Sequence, residues 1–259
     1  MRSWFRHDEI EAFVAERDAT LVGYGDRWSS KERNRLRLEL HVTEADAGAA
    51  LLRELERATA LAPGARATAG VSEEDDTLRG VFEAAGYALD RHTFRMAVSL
   101  HEAVPAELPE WVEVGAYEPE HEAEIHAVHQ EAFSELADHT PLSLEEWRTW
   151  FVESPGFDPS LWFVAWDGAD VAGIALCQVH WSGVPTHGHV NVLAVKRPWR
   201  GRGLGAALLT HAFEEMKRRG MTRATLGVDA NNATGAVRLY ERVGMHVERR
   251  HDVYRKELS

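Results

Sequence analysis

The most informative stretch of the sequence reads Arg200-Gly201-Arg202-Gly203-Leu204-Gly205. It follows a strand-like run, Val190 to Val195, and opens an amphipathic helix from Leu204 to Arg219. Glycines let the backbone curl so that several N–H groups face one anion, and a helix N-terminus adds about half a positive charge. We therefore predict a turn whose amides from Arg200 to Gly205, helped by the Arg200 and Arg202 guanidinium groups, bind a diphosphate. The alternative is a tight turn that only begins a helix.

Two other nucleotide-binding loops do not fit this spacing. A P-loop requires Lys followed by Ser or Thr after its glycines, and neither pair follows here. A dinucleotide-binding turn requires G-x-G-x-x-G, whereas Gly201, Gly203 and Gly205 give G-x-G-x-G. The pattern R-x-x-G-x-G instead resembles the pyrophosphate-binding loop of the GNAT superfamily of acyl-CoA-dependent N-acetyltransferases.

A second motif follows the next predicted strand. It contains Asn232, Ala236 and the pair Leu239-Tyr240 on a helix that ends at Gly244. This resembles the second signature of the GNAT superfamily, although the spacing from Asn to Ala is four residues here and usually three. The resemblance implies that Tyr240 is the general acid and that Asn232 anchors the pantetheine arm of acetyl-CoA. It also implies that backbone groups of the strand segment Leu193, Ala194 and Val195 pair with that arm.

The resemblance covers residues 111 to 258 and implies an α/β (α+β) fold. We expect a mixed, mostly antiparallel, splayed sheet with helices on both faces. The predicted strands are 111–115, 161–166, 171–181, 189–195, 222–228 and 246–256, and the predicted helices are 118–136, 143–151, 204–219 and 235–243. Ser143 and Glu146 form a capping box at the start of one of these helices.

The chain also resembles itself. Val14 to Gly23 matches Val164 to Gly173 without a gap, and Thr77 to Tyr87 follows Gly235 to Met245. We predict a truncated, non-catalytic GNAT-like domain at 1–103, a linker over Glu102 to Pro109, and a catalytic GNAT domain at 110–259. The tandem arrangement resembles the two-domain, mycothiol-synthase-like members of the superfamily.

The first copy has lost the residues of the phosphate-binding turn. It reads Thr43-Glu44-Ala45-Asp46-Ala47, and a carboxylate about 4 Å from a phosphate repels it by about 1 kcal/mol in water. Phe82 stands where the second copy has Tyr240, so the hydroxyl group is missing as well.

Composition limits the function further. A formal charge of −13 argues against nucleic acid as a partner, and no window is apolar and long enough for a membrane span. The single cysteine, Cys177, fits a reducing cytoplasm and a buried strand position. We predict a cytoplasmic protein without a metal, a nucleic-acid partner or a membrane partner, and leave a homodimer open.

Transfer to an amine needs a base, because alkylammonium groups have a pKa near 10.4. Alternation places His189, Asn191, Leu193 and Val195 on one face of their strand. Relatives with a carboxylate base carry it at positions that match His189 or Asn191, and neither is acidic here. An imidazole has a suitable pKa, so His189 is the candidate base. Asp229, His180, His187 or a chain of waters are the alternatives.

Charge is uneven along the second half of the chain. Residues 110–190 hold fifteen acidic residues and one basic residue, whereas residues 191–259 hold seven acidic and fourteen basic residues. We predict a small cationic amine as acceptor, attracted by the negative field, with a merely solvated acidic helix face as the alternative. The tryptophans near this segment are candidates for an acceptor pocket or for ordinary core packing: Trp147, Trp150, Trp162 and Trp181.

The predicted activity is acetyl-CoA-dependent N-acetylation of a small amine by direct attack in a ternary complex. A non-catalytic acyl-CoA-binding or sensing protein, and transfer to a protein N-terminus or lysine, are the alternatives. Other acyl-CoA donors stay open.

Overall fold

The computed structural model describes residues 9–30, 33–57, 61–105, 107–136, 139, 141–154, 156–179, 183–232 and 235–258. The chain forms two compact units. The first unit comprises Met1–Phe94, Asp229–Asn231 and Arg249–Ser259, and the second unit comprises Arg95–Val228 and Asn232–Glu248. These units differ from the predicted domains 1–103 and 110–259, because each unit includes a strand segment from the other half of the chain. Within the described residues, no helix has the length and apolarity needed to cross a bilayer.

The first unit is built from strands with two helices. It contains β1 (Glu9–Arg17), β2 (Thr20–Ser30), β3 (Arg35–Val42), α1 (Ala45–Arg57), β4 (Ala65–Ser72), α2 (Asp76–Ala84), the first part of β5 (Ala88–Ser99) and the last part of β11 (His246–Leu258). Strands β1 to β4 are neighbours in chain order, and β11 pairs antiparallel with β4. Its core includes Leu38, Leu52 and Phe82, and Tyr254 of β11 stacks on the Phe82 ring.

The second unit contains more helices than the first among the described residues. It contains β6 (Glu113–Ala116), α3 (Glu122–Phe133), α4 (Leu144–Trp147), β7 (Trp162–Asp167), β8 (Asp170–Val179), β9 (His187–Val195), α5 (Leu204–Arg218), β10 (Arg223–Asp229, except its last residue) and α6 (Ala236–Arg242). Strands β6, β7, β8 and β9 pair antiparallel in that order, and β10 pairs parallel with β9. This confirms the predicted α/β fold with a mostly antiparallel sheet.

Two predicted helices are not α-helical along their whole length. The predicted helix 118–136 begins with a 3-10 turn at Pro119–His121, because Pro119 fits only a first turn, and α3 then ends at Phe133. The predicted helix 143–151 is α4 followed by a π-helical turn, Arg148–Val152. The predicted capping box of Ser143 and Glu146 is present at its start.

The internal repeat is visible in the strand register. In the β1–β2 hairpin Ala15 pairs with Gly23 and Glu16 with Leu21, so the register shifts by one residue at Val22. In the β7–β8 hairpin Ala165 pairs with Gly173 and Trp166 with Val171, with the same shift at Ala172. Two hairpins that match in sequence therefore share the same irregular pairing, which confirms the tandem fold.

The ends of α2 and α6 also correspond. The N–H of Tyr87 donates to the carbonyl of Phe82 at 3.0 Å, and the N–H of Met245 donates to the carbonyl of Tyr240 at 3.0 Å. The described part of the first unit begins at the hairpin and contains no counterpart of β6, α3 or α4. The described residues of the first unit therefore match the second copy from the β7–β8 hairpin onward.

Candidate active site

A cleft opens between β9 and β10. The two strands pair at four positions, from His187 with Arg223 to Val190 with Leu226, and β9 then continues alone to Val195. On its other edge β9 stays paired with β8 as far as Val195. The β10-facing edge of residues 191–195 thus has no strand partner among the described residues, so an extended ligand can bind there as an added strand. This is the predicted splayed sheet.

A one-residue register shift lies where the cleft begins. Val192 pairs with Leu176 and Val190 with Cys177, which leaves Asn191 as a bulge. A bulge changes the face that the following side chains occupy. The Cβ direction of Gly188 points to Met216 of α5, and Val195 Cγ2 lies 3.8 Å from the Cβ position of Gly205, also on α5.

This bulge corrects one prediction. Gly188 and Val195 both face α5, so His189 faces the opposite side of the sheet from Val195. The predicted single face for His189, Asn191, Leu193 and Val195 is wrong, because strict alternation fails at a bulge. His189 lies instead on the face that α3 covers, where Val192 and Ala194 pack with Ile125.

The phosphate-binding turn spans Lys196 to Gly203. Gly201 has a φ of +73° and Gly203 a φ of +85°, in the left-handed region that glycine adopts without strain. Helix α5 begins at Leu204 without a side-chain cap. Among the described residues, the N–H groups of Gly201, Arg202, Gly203, Leu204 and Gly205 have no hydrogen-bond acceptor, whereas that of Arg200 donates to the Arg197 carbonyl at 3.2 Å. Five such amides at a helix N-terminus are suited to bind an anion, and their binding of a diphosphate stays a prediction.

The two arginines of the turn have protein partners. Arg200 Nε donates to the carbonyl of Val195 at 2.9 Å, and Arg200 Nη1 donates to Glu135 at 2.8 Å. The Arg202 guanidinium carbon lies 3.8 Å from the centre of the Trp111 ring. Sequence patterns did not point to Glu135, and the phosphate contacts of both arginines stay a prediction.

Tyr240 is buried on α6. Burial raises the pKa of its hydroxyl to about 12, so the group is protonated at neutral pH. The hydroxyl has no hydrogen-bond partner among the described residues, unlike Tyr117, whose hydroxyl donates to Glu122 at 2.8 Å. Tyr240 therefore differs from a core tyrosine whose hydroxyl is bound by a neighbouring side chain. Asn232 lies in the turn before α6, where its carbonyl accepts from the N–H of Gly235 at 3.3 Å.

His189 is held in one orientation. Its Nδ1 lies 2.8 Å from Thr225 Oγ1, and that hydroxyl lies 3.3 Å from the carbonyl oxygen of Gly188. A carbonyl only accepts, so when Thr225 donates to Gly188, the His189 Nδ1–H donates to Thr225 and Nε2 keeps its lone pair. Burial and, secondarily, the charge of Arg95 lower the pKa of His189 to about 4. The imidazole is therefore neutral at pH 7, and the same burial makes it a weaker proton acceptor than an ordinary histidine.

The other candidate bases occupy different places. Asp229 belongs to the first unit, where its carboxylate lies 3.3 Å from Arg91 Nε. His187 is the first residue of β9. His180 lies outside the described residues, as does Trp181.

The remaining tryptophans differ in burial. Trp147 and Trp162 pack in the core beneath α3, and Trp147 Nε1 donates to His129 Nδ1 at 3.0 Å. Core packing therefore explains both, whereas Trp150 is 38% exposed. Cys177 is buried as predicted, and burial raises the pKa of its thiol.

At the corresponding helix start, the described residues of the first unit include acidic side chains instead of glycines. At the start of α1 the carboxylates of Glu44 and Asp46 bind the guanidinium group of Arg17, and the N–H of Ala47 donates to Asp46 at 2.9 Å. Strand β3 also lacks the bulge, since consecutive residues Leu38 and Glu39 pair with Arg27 and Asp26. The position that would bind an anion is therefore filled by side chains of the chain itself.

A splayed sheet, an amide-lined turn and a repeated fold define the class: an N-acetyltransferase with two copies of one fold. The pattern of the Acetyltransferase (GNAT) family matches residues 122–245. The chain is 31% identical over 240 residues to a mycothiol acetyltransferase of Streptomyces scabiei (strain 87.22), a match that covers 92% of this chain and 77% of that protein. It is 34% identical over 142 residues to a mycothiol acetyltransferase of Corynebacterium aurimucosum, covering 52% and 46% respectively.

Solved structures agree with this result. A GCN5-related N-acetyltransferase from Sphaerobacter thermophilus superposes with a TM-score of 0.80 at 29% identity, covering 95% of this chain and 80% of that one. A tandem GNAT protein from the clavulanic acid biosynthesis pathway gives a TM-score of 0.75 at 14% identity over 96% and 83%, which shows the fold alone. The chain therefore belongs to the GNAT family of acetyltransferases, as a two-domain member.

Proposed function

We propose that the second unit transfers the acetyl group of acetyl-CoA to the primary amine of a small cationic acceptor, by direct attack in a ternary complex. The observation that carries the proposal is the run of N–H groups from Gly201 to Gly205 without acceptors, next to the unpaired edge of β9. The turn is suited to the diphosphate, and the β9 edge to the amides of the pantetheine arm. The Val195 carbonyl already accepts from Arg200, so Leu193 and the N–H of Val195 are the groups we assign to that arm.

Two side chains of the second unit divide the proton transfers. His189 Nε2 accepts a proton from the acceptor's ammonium group before the C–N bond forms. As the C–S bond breaks, the Tyr240 hydroxyl gives a proton to the leaving thiolate and regains one from the new amide nitrogen, which carries one proton too many after attack. A backbone N–H of β9 near the Asn191 bulge stabilises the developing oxyanion. The lowered pKa of His189 leaves its imidazole neutral at pH 7, and the raised pKa of Tyr240 leaves its phenol protonated.

The acceptor assignment rests on charge and on similarity. Fifteen acidic residues and one basic residue between positions 110 and 190 create a negative field that attracts a cation. The similar proteins of Streptomyces scabiei and Corynebacterium aurimucosum are mycothiol acetyltransferases, which supports a small molecule as acceptor. We propose that the first copy is non-catalytic, since Arg17, Glu44 and Asp46 fill its helix start.

We propose a cytoplasmic location because the single cysteine is an unpaired thiol.

The test is release of free thiol from acetyl-CoA over a panel of aminoglycosides, polyamines, amino-sugar thiols and peptides. We expect turnover with at least one small amine and none with peptides. Binding of coenzyme A to the wild-type protein is measured separately by calorimetry. Tight binding without turnover on any amine would favour a sensing role, and preferred turnover of peptides would favour protein acetylation.

A further inference from the structure

Glu135 connects the end of the α3 region to the phosphate-binding turn. Its Oε1 accepts from Arg197 Nε at 2.7 Å, and its two oxygens accept from Arg200 Nη1 at 3.0 and 2.8 Å. One helical turn earlier, Glu131 accepts from the backbone N–H of Arg197 at 3.0 Å. Arg200 Nε also donates to the Val195 carbonyl. Together these bonds hold the first residues of the turn, Arg197 to Arg200, to the α3 region and to the end of β9.

The turn needs such support. Between Lys196 and Leu204 it contains two glycines at positive φ, and glycine has more conformational freedom to lose than any other residue. When a turn is already ordered in the free protein, ligand binding does not have to offset the entropy lost on ordering it, so the affinity is higher. The hydrogen bonds from Arg197 and Arg200 also lower the pKa of Glu135, which keeps the carboxylate ionised at neutral pH.

We infer that Glu135 is a positioning residue that holds Arg197 and Arg200 so that the amides of Gly201 to Gly205 are set for the diphosphate before it arrives. The inference rests on the proposed acetyl-CoA site. The change in binding that positioning predicts for Glu135→Gln is opposite in sign to the change that charge alone predicts. A carboxylate near a diphosphate repels it, so charge alone predicts that Glu135→Gln tightens binding. Positioning predicts that the same substitution weakens binding.

The experiment measures the dissociation constant of coenzyme A by calorimetry and the steady-state constants for acetyl-CoA. We expect Glu135→Gln to raise Kd and KM about tenfold while kcat stays within about twofold, because only the pre-ordering of the turn is lost. Arg197→Gln breaks one contact and leaves Arg200 bound, so it should give an intermediate rise. In an Arg197→Gln, Arg200→Gln background, Glu135→Gln should have no further effect.

Glu124→Gln is the matched control. Glu124 lies on α3 as an exposed residue with no ion pair among the described residues, and the substitution removes the same charge. We expect its Kd to stay within about twofold of wild type. Equal or tighter binding by Glu135→Gln, or an equal loss in Glu124→Gln, would overturn the inference and leave the proposed function intact. A wild-type protein that does not bind coenzyme A would overturn both.

Discussion

Gly205 on α5 and Leu239 on α6 approach so closely that a Cβ at Gly205 would lie 3.1 Å from Leu239 Cδ1. The first copy repeats the relationship between Gly48 and Val81, at 3.0 Å. Gly205, the third glycine of the G-x-G-x-G motif, therefore has a packing role as the second residue of α5. It sets the distance between α5 and α6, and the next residue on α6 is Tyr240.

This contact predicts that Gly205→Val separates the two helices. Overpacking of this kind costs about 1–3 kcal/mol, and the displacement of Tyr240 should lower kcat as well. Gly48→Val should lose similar stability with no change in kcat, because we propose that the first copy is non-catalytic. Gly80→Val serves as control, since nothing lies within 4 Å of its Cβ position. Denaturant unfolding and steady-state kinetics give both readouts, and an unaltered free energy of unfolding in Gly205→Val would contradict the packing argument.

Tyr240→Phe tests the general acid. We expect kcat to fall by about 10²-fold with little change in coenzyme A affinity, because only the proton for the leaving thiolate is lost. The matched control is Tyr117→Phe, which removes another hydroxyl with a pKa of about 12 in the same unit, one that donates to Glu122. An unchanged kcat in Tyr240→Phe would remove this residue from the mechanism.

The pH dependence of kcat/KM tests His189. A base must be unprotonated, so activity should fall as the pH drops through about 4, the pKa of this imidazole, and should not fall near 6.5. His189→Gln should abolish this acidic limb. Arg95→Gln removes a nearby positive charge that lowers the pKa, so it should move the limb to higher pH.

One result would contradict the assignment of His189 as the base. An acidic limb that persists unchanged in His189→Gln would assign the base to another group. His187→Gln is the matched control on the same strand, and it should leave the limb in place.

The features that sequence reasoning recovered are those with local causes. The turn needs glycine where φ is positive, and α5 begins at Leu204 directly after those glycines, without a side-chain cap. The general-acid role of Tyr240 came from a resemblance and stays a prediction. The repeat could be read because matching hairpins keep the same residues, even though their shared register shift was invisible in the sequence.

The features that sequence reasoning missed depend on cross-strand register and tertiary contacts. The bulge at Asn191 is defined only by the pairing of β9 with β8, and it moved His189 to the other face. Thr225 and Glu135 lie 36 and 65 residues from the groups they hold, His189 and Arg200, so no local pattern pairs them. The assignment of Arg95–Ser99 to the second unit has the same origin, since only the fold brings that segment beside β10.

That segment leads to a prediction about dividing the chain. Met96, Val98 and Leu100 lie in the second unit with at most 2% of their surface exposed, yet all three precede the predicted domain start at residue 110. Burying each such side chain contributes about 2 kcal/mol, so their loss removes a large part of the roughly 5–15 kcal/mol that stabilises a typical protein. We expect fragment 110–259 to be aggregated or partly unfolded by circular dichroism and to show no cooperative thermal transition. Fragment 88–259, which keeps all of β5, should recover the transition. A soluble fragment 110–259 that unfolds cooperatively and binds coenzyme A would show that the second copy folds without this strand.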